Sequence, residues 1–188
     1  MSIMLGLEVS WSDYYQKIER LAVKIYESGW EFNQIVCLAR GGLRVGDILS
    51  RIYNKPLAIL ATSSYSGMGQ QEREKLNFAR HLTMIKEHLG LRILLVDDLV
   101  DSGMTLQKTV PWLHMYSHKP IEEIRTAVIW YKAHSIFIPD YHIDYLSGNP
   151  WIHQPFETYE LMNPEDIVAK YRENKKVQRK GIKVDDRH

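Results

Sequence analysis

Three carboxylates and a small-residue turn stand together in the stretch RILLVDDLVDSGMTL, residues 92–106. Asp97 and Asp98 follow an apolar run, Ile93-Leu94-Leu95-Val96, and Asp101 comes three residues after the pair. Ser102-Gly103-Met104-Thr105 then leads into a stretch of helical character. This order of types suits a phosphate and a sugar. The N–H groups of the turn and of a helix N-terminus offer positive partial charge to a phosphate. The hydroxyls of Ser102 and Thr105 add hydrogen bonds, and Gly103 lets the backbone approach a ligand with no Cβ between. Like charges repel, so the carboxylates do not serve the phosphate. They suit ribose hydroxyls or a hard cation such as Mg²⁺.

A second stretch has the same build. Gln34 to Ala39, QIVCLA, reads as a buried strand, and Ala39-Arg40-Gly41-Gly42 follows its end. A glycine pair there marks a sharp turn or a close backbone approach, and an ordinary strand-to-helix turn explains it as well. Arg40 can meet a phosphate with two hydrogen bonds. Two such loops gain meaning together, because parallel α/β sheets bind ligands beyond the C-terminal ends of their strands.

The elements that must hold these loops follow from periodicity. Ile18, Leu21, Ala22, Ile25 and Tyr26 recur as one apolar face, so a helix is predicted over residues 12–28, capped by Ser10 or Ser12 and stopped at Gly29. Short apolar runs give strands at 34–39, 57–62, 93–96, 124–131 and 141–146. Helices are predicted from Leu43 to Tyr53, after Thr105 and from Asn163. Pro111 should break or bend the second of these near Val110. Asn163 caps the last, with Pro164 at its first position. A polar segment, residues 63–80, is too long for a simple connection; it reads as a lid or as an excursion holding a hairpin or short helix. Lys132 ends a strand, where lysines are ordinarily solvated, and His134 reads as a solvated loop histidine.

With 188 residues, 45% hydrophobic and 25% charged, the chain is long enough for one domain with a real core. A net charge of +1 gives no electrostatic case for a nucleic-acid or membrane partner. The single cysteine, Cys37, rules out an internal disulfide and reads as a buried apolar side chain. No apolar run approaches a membrane span, and the start MSIMLGLEVSWSDYY lacks the features of a signal peptide, so a cytoplasmic location is expected.

The motif Asp97-Asp98-Leu-Val-Asp101-Ser102-Gly103-Met104-Thr105 resembles the loop with which type I phosphoribosyltransferases bind phosphoribosyl diphosphate (PRPP). Ala39-Arg40-Gly41-Gly42 is similar to that family's pyrophosphate loop, and Ser63-Ser64-Tyr65 to the start of its closing lid. The segment Trp151-Ile152-His153-Gln154-Pro155-Phe156-Glu157 resembles a signature of bacterial xanthine-guanine phosphoribosyltransferases, with His153 where an acidic residue and Phe156 where tryptophan is usual. The resemblance spans residues 34–157. It implies a mostly parallel α/β sheet flanked by helices with a small C-terminal hood, in one domain over residues 1–188: core 34–132, hood 133–162, then a C-terminal helix and tail. It implies transfer of phosphoribose from PRPP to a 6-oxopurine. Ala39 to Gly42, Asp97, Asp98 and Asp101 to Thr105 would bind PRPP, and Asp101 and Arg40 would be catalytic. Lys132, Trp151 and Ile152 would select the base. Mg²⁺ would lie on Asp97 and Asp98, with Glu157 as an outer contact, and the protein would form a homo-oligomer. A regulatory nucleotide binder of the same fold, or an enzyme for another acceptor base, is the alternative, and the two departures keep the base in question.

Overall fold

The computed structural model describes residues 6–65 and 75–181. In chain order the elements are β1 (Leu7–Glu8), α1 (Trp11–Glu27), β2 (Gln34–Ala39), α2 (Leu43–Tyr53), β3 (Leu57–Tyr65), β4 (Lys75–Phe78), β5 (Thr83–Met84), β6 (Arg92–Val96), β7 (Leu99–Val100), α3 (Met104–Tyr116), β8 (Glu123–Lys132), β9 (Tyr141–Leu146), β10 (Ile152–His153), a 3₁₀ turn (Glu157–Glu160) and α4 (Pro164–Gly181).

Apolar, β-branched runs make the centre of the sheet. β2 and β6 lie side by side, both buried almost throughout, and the order across the sheet is β4-β3-β2-β6-β8-β7. β2 pairs in parallel with β3 and β6, and β8 pairs in parallel with β6, β7 and β9. The antiparallel pairs are β4 and β5 on β3. Because β2 and β6 are parallel neighbours, the loops after Ala39 and Val96 emerge at one edge of the sheet. Helices cover both faces, which is why the strands read as unbroken apolar runs.

One core, around Tyr14, Ile18, Leu21, Ile25, Leu49 and Trp130, joins α1 and α2 to one face; the other, around Leu38, Leu60, Leu95, Leu106 and Leu113, joins α3 to the opposite face. Cys37 is buried and unpaired.

Several expectations change. α1 is capped by Ser10, whose hydroxyl accepts from the Asp13 N–H at 3.1 Å, while Asp13 reaches back to Ser10. Its buried stripe stops at Ile25: Tyr26 is 78% exposed. α3 is one helix through Pro111; the proline removes one donor, but Leu106, Thr109 and Leu113 hold the helix in the core. The second long strand does not end at residue 62. Ser63, Ser64 and Tyr65 continue β3 and pair with Asn77, Leu76 and Lys75, so the start of the expected lid is one arm of a hairpin. Residues 66–74, the middle of that segment, and the tail 182–188 lie outside the described residues. Residues 141–146, assigned to a hood by sequence, extend the main sheet as β9. What stands apart is a small parallel pair, β1 with β10, linking Leu7 to Ile152 and Glu8 to His153.

Candidate active site

The paired carboxylates leave β6 and are fixed by its neighbour. The Asp97 N–H donates to the Ala127 carbonyl at 3.2 Å, and the Asp98 carbonyl accepts from the Ile129 and Trp130 N–H groups at 3.0 and 3.1 Å. Asp98 N–H donates to Asp97 Oδ1 at 2.9 Å. Burial raises the pKa of both carboxyls, and for Asp97 the charge of Asp98 raises it further. For Asp98 a hydrogen bond from Gln154 Nε2, 2.6 Å to Oδ2, works the other way. Gln154 is buried, and its Oε1 has no partner among the described residues; the same holds for the Tyr14 hydroxyl, whose pKa burial and the Asp98 charge push up.

The Arg40 loop lies directly on this pair. A Cβ on Gly41 would collide with the Asp98 carboxylate, and one on Gly42 would stand 2.6 Å from the Val96 carbonyl oxygen and 2.9 Å from that of Leu38. Both glycines are therefore dictated by close packing of two loops. The Ala39–Arg40 peptide is cis. Arg40 extends outward, its side chain 85% exposed, 3.4 Å from Glu160 Oε1. Gly42 begins α2, so the N-terminus of that helix opens toward the carboxylates.

The second half of the acidic loop forms a smaller pocket of about 160 Å³, lined by Asp97 to Gly103 with Thr105 and Leu106. Gly103, at φ +84°, packs against Ser135 and Phe137, where an added Cβ would lie 2.7 Å from the Phe137 N–H nitrogen. Ser102 Oγ accepts from the Met104 N–H at 3.4 Å, and the Ser102 carbonyl accepts from Ile136 N–H at 3.0 Å. The turn thus presents the first N–H groups of α3 to the pocket.

Asp101 is held from two sides. Lys132 Nζ donates to its Oδ2 at 3.1 Å, and His134 Nε2 lies 2.8 Å from its Oδ1. Lys132 is not the solvated lysine its strand-end position suggests; its side chain is 6% exposed and also donates to Asn149 Oδ1 at 2.7 Å. His134 is exposed in the turn after β8, as its sequence position suggests, and its ring reaches Asp101 from there.

Trp151 is exposed, at 66%, and its indole N–H donates to Glu157 Oε2 at 3.3 Å. Ile152 is buried in β10. His153 lies 3.7 Å from Glu8 and 3.9 Å from Glu157. A cavity of about 450 Å³ runs between the Arg40 loop and this segment, lined by Arg40, Gly41, Arg44, Asp98, Gln154 and Glu157 among others.

The fold therefore gathers the Arg40 loop, Asp98, Gln154 and Glu157 at one cavity, with Asp97 on the smaller pocket, and joins Asp101 to Lys132. Ser63 and Ser64 belong to the β3–β4 pair, opposite Asn77 and Leu76. Sequence reading missed Gln154, Asn149 and Arg44. Gln154 sits inside the Trp151 segment, and its place beside an otherwise conspicuous motif was the only signal; Asn149 and Arg44 carried none.

Adjacent buried carboxylates with raised pKa values, and no lysine or arginine paired to either among the described residues, fit a hard divalent cation. No group of three or more His, Cys, Asp or Glu side chains among the described residues forms a metal cage. A Mg²⁺ ion on Asp97 and Asp98 would therefore complete its shell with substrate oxygens and water, as this ion commonly does.

Residues 10–161 match the phosphoribosyl transferase domain family. The chain is 25% identical over 152 residues to a xanthine-guanine phosphoribosyltransferase of Idiomarina loihiensis, covering 80% of this chain and 86% of that protein. It is 28% identical over 156 residues to an enzyme of the same name from Cereibacter sphaeroides, covering 81% and 87%. Among solved structures it is similar to a purine phosphoribosyltransferase from Pyrococcus horikoshii, with a TM-score of 0.65, 26% identity and coverage of 80% of this chain and 92% of that one. Its mostly parallel sheet and flanking helices are the type I phosphoribosyltransferase fold, and the chain belongs to the phosphoribosyl transferase domain family.

Proposed function

We propose that this phosphoribosyltransferase moves the phosphoribosyl group of PRPP onto a 6-oxopurine and releases pyrophosphate. The observation that carries the reading is the buried Lys132 ammonium, 3.1 Å from Asp101 in the acidic loop and 2.7 Å from Asn149, which precedes the Trp151 segment. A buried cation beside a carboxylate can donate to the exocyclic oxygen of a purine while the carboxylate manages a ring proton. The relatives named as xanthine-guanine and purine phosphoribosyltransferases support the substrate class.

In this reaction the bond from the ribose anomeric carbon to pyrophosphate breaks and a bond to a purine ring nitrogen forms, while that base loses a proton. The developing charge on the ribose is positive, and Asp97 and Asp98 lie where ionised carboxylates favour it. The first N–H groups of α3, with Ser102 and Thr105, hold the 5′-phosphate, so binding energy far from the reacting carbon fixes its position. Arg40 and the loop of Ala39 to Gly42 bind the departing pyrophosphate. Asp101 accepts the purine proton. Lys132 selects the oxygen-bearing base, Trp151 supplies a stacking face and Ile152 its backbone groups. Asp97 and Asp98, with Glu157 as an outer contact, would hold Mg²⁺, which would supply charge that neutralises the leaving group.

Replacing Lys132 tests the base assignment. In Lys132→Ala kcat/KM for the 6-oxopurine turned over best should fall by roughly 10- to 100-fold, the worth of one charge-assisted hydrogen bond. An unchanged kcat/KM would remove Lys132 as the selector.

A further inference from the structure

Building on that reading, we propose that Arg44, clamped by Phe156, is a second pyrophosphate-binding residue and makes the leaving-group site depend on the hood.

Arg44 is in the first turn of α2, immediately past the Arg40 loop. Its guanidinium carbon lies 4.2 Å from the centre of the Phe156 ring and 5.6 Å from that of Trp11. Trp11 and Phe156 are themselves neighbours, with ring centres 6.4 Å apart. Two rings from opposite ends of the chain therefore fix one half-buried cation. Arg44 forms no ion pair among the described residues, and it lines the 450 Å³ cavity together with Arg40. A guanidinium stacked on rings keeps its in-plane N–H donors free for an anion.

The remaining charges on that cavity are Asp98, Glu157 and Glu160. Each already has a protein partner: Gln154 for Asp98, Trp151 and His153 for Glu157, and Arg40 for Glu160. Arg40 and Arg44 are thus the two cationic side chains facing a space bordered by the Arg40 loop and the N-terminus of α2. A diphosphate has enough charged oxygens to engage both, and one phosphate of it can also take the helix N-terminus. The Phe156 ring is the nearer of the two faces against which Arg44 rests. Moving the hood would move Arg44, so ordering of the base-binding segment and grip on pyrophosphate are linked.

The test is calorimetric titration of the purified protein, in the presence of Mg²⁺, with inorganic pyrophosphate and separately with guanosine 5′-monophosphate. Arg44→Gln should weaken pyrophosphate binding about tenfold or more, as expected for losing a charge-assisted contact. It should leave the monophosphate, held by the acidic loop, within about twofold. Phe156→Leu, which keeps the arginine and removes the ring, should weaken pyrophosphate severalfold. Pyrophosphate affinity unchanged in Arg44→Gln would overturn the inference, and so would an equal loss of both ligands. Wild-type protein that binds neither ligand would instead overturn the phosphoribosyl-transfer reading beneath it.

Discussion

Asp101 shows how far one side chain's role depends on its partners. Both carboxylate oxygens have a neighbour, one Lys132 and one His134, so the direction of the carboxylate is set before any base arrives. Asp101→Asn keeps the shape and removes the proton acceptor. Its kcat should drop by about two to four orders of magnitude, the range general base catalysis supplies, with KM for PRPP changed little. Near-normal turnover would sink the proton role. Asp97 makes a different prediction. Its folded pKa lies above the unfolded value, so the folded state binds a proton the unfolded chain has released. The favourable contribution is complete below the unfolded pKa and is lost as pH rises through the folded one. At neutral pH, without cation or PRPP, the ionised pair is a cost to stability. Asp97→Asn should therefore raise the melting temperature of the ligand-free protein at pH 7, by about 2–4 °C for each kcal/mol relieved. The gain should shrink toward pH 4, and it should come with loss of turnover. A lower melting temperature in Asp97→Asn would contradict this account of the pair. These residues were legible from order and spacing alone. Gln154, Asn149 and Arg44 were not, because their significance lies in contacts between segments distant in the chain.

Loops here are shaped by what lies behind them. Gly103 sits at φ +84° with Ser135 and Phe137 against its α-carbon, so both conformation and space exclude a side chain. Gly103→Ala should destabilise the fold by roughly 1–3 kcal/mol, from the cost of a non-glycine residue in that region and the displaced neighbours, and weaken PRPP binding by distorting the first turn of α3. Equilibrium denaturation and PRPP titration check the two effects; wild-type values in both would show that the turn tolerates a Cβ. At this level the strands and most helices could be read from apolar periodicity, since burial sets both. Three misjudgements have physical reasons. Packing of Leu106 and Leu113 overrides the local cost of Pro111. Tyr26 continues the periodic stripe of α1 past the end of the surface that α1 covers. Ser63 to Tyr65 look like a polar loop, but cross-strand pairing with β4 makes them a hairpin arm.

Over the whole molecule, the sheet order brings β2 and β6 together, and that single adjacency makes one site of two loops separated by more than fifty residues. The family resemblance implied this arrangement; composition and periodicity could not give a strand order. The pairing of β1 with β10 was beyond reading, since each is only two residues long and they come from opposite ends of the chain. Yet that pair holds the segment carrying Gln154 and Phe156 across the cavity from the Arg40 loop, so the first and last parts of the fold meet beside that cavity. The central claim is a reaction, and it is tested most directly by pyrophosphate release from PRPP and Mg²⁺ with guanine, xanthine, hypoxanthine, adenine and uracil in parallel. The account predicts turnover with at least one 6-oxopurine and none with adenine or uracil. Release that ignores the base, or binding of PRPP with turnover on none of them, would contradict it.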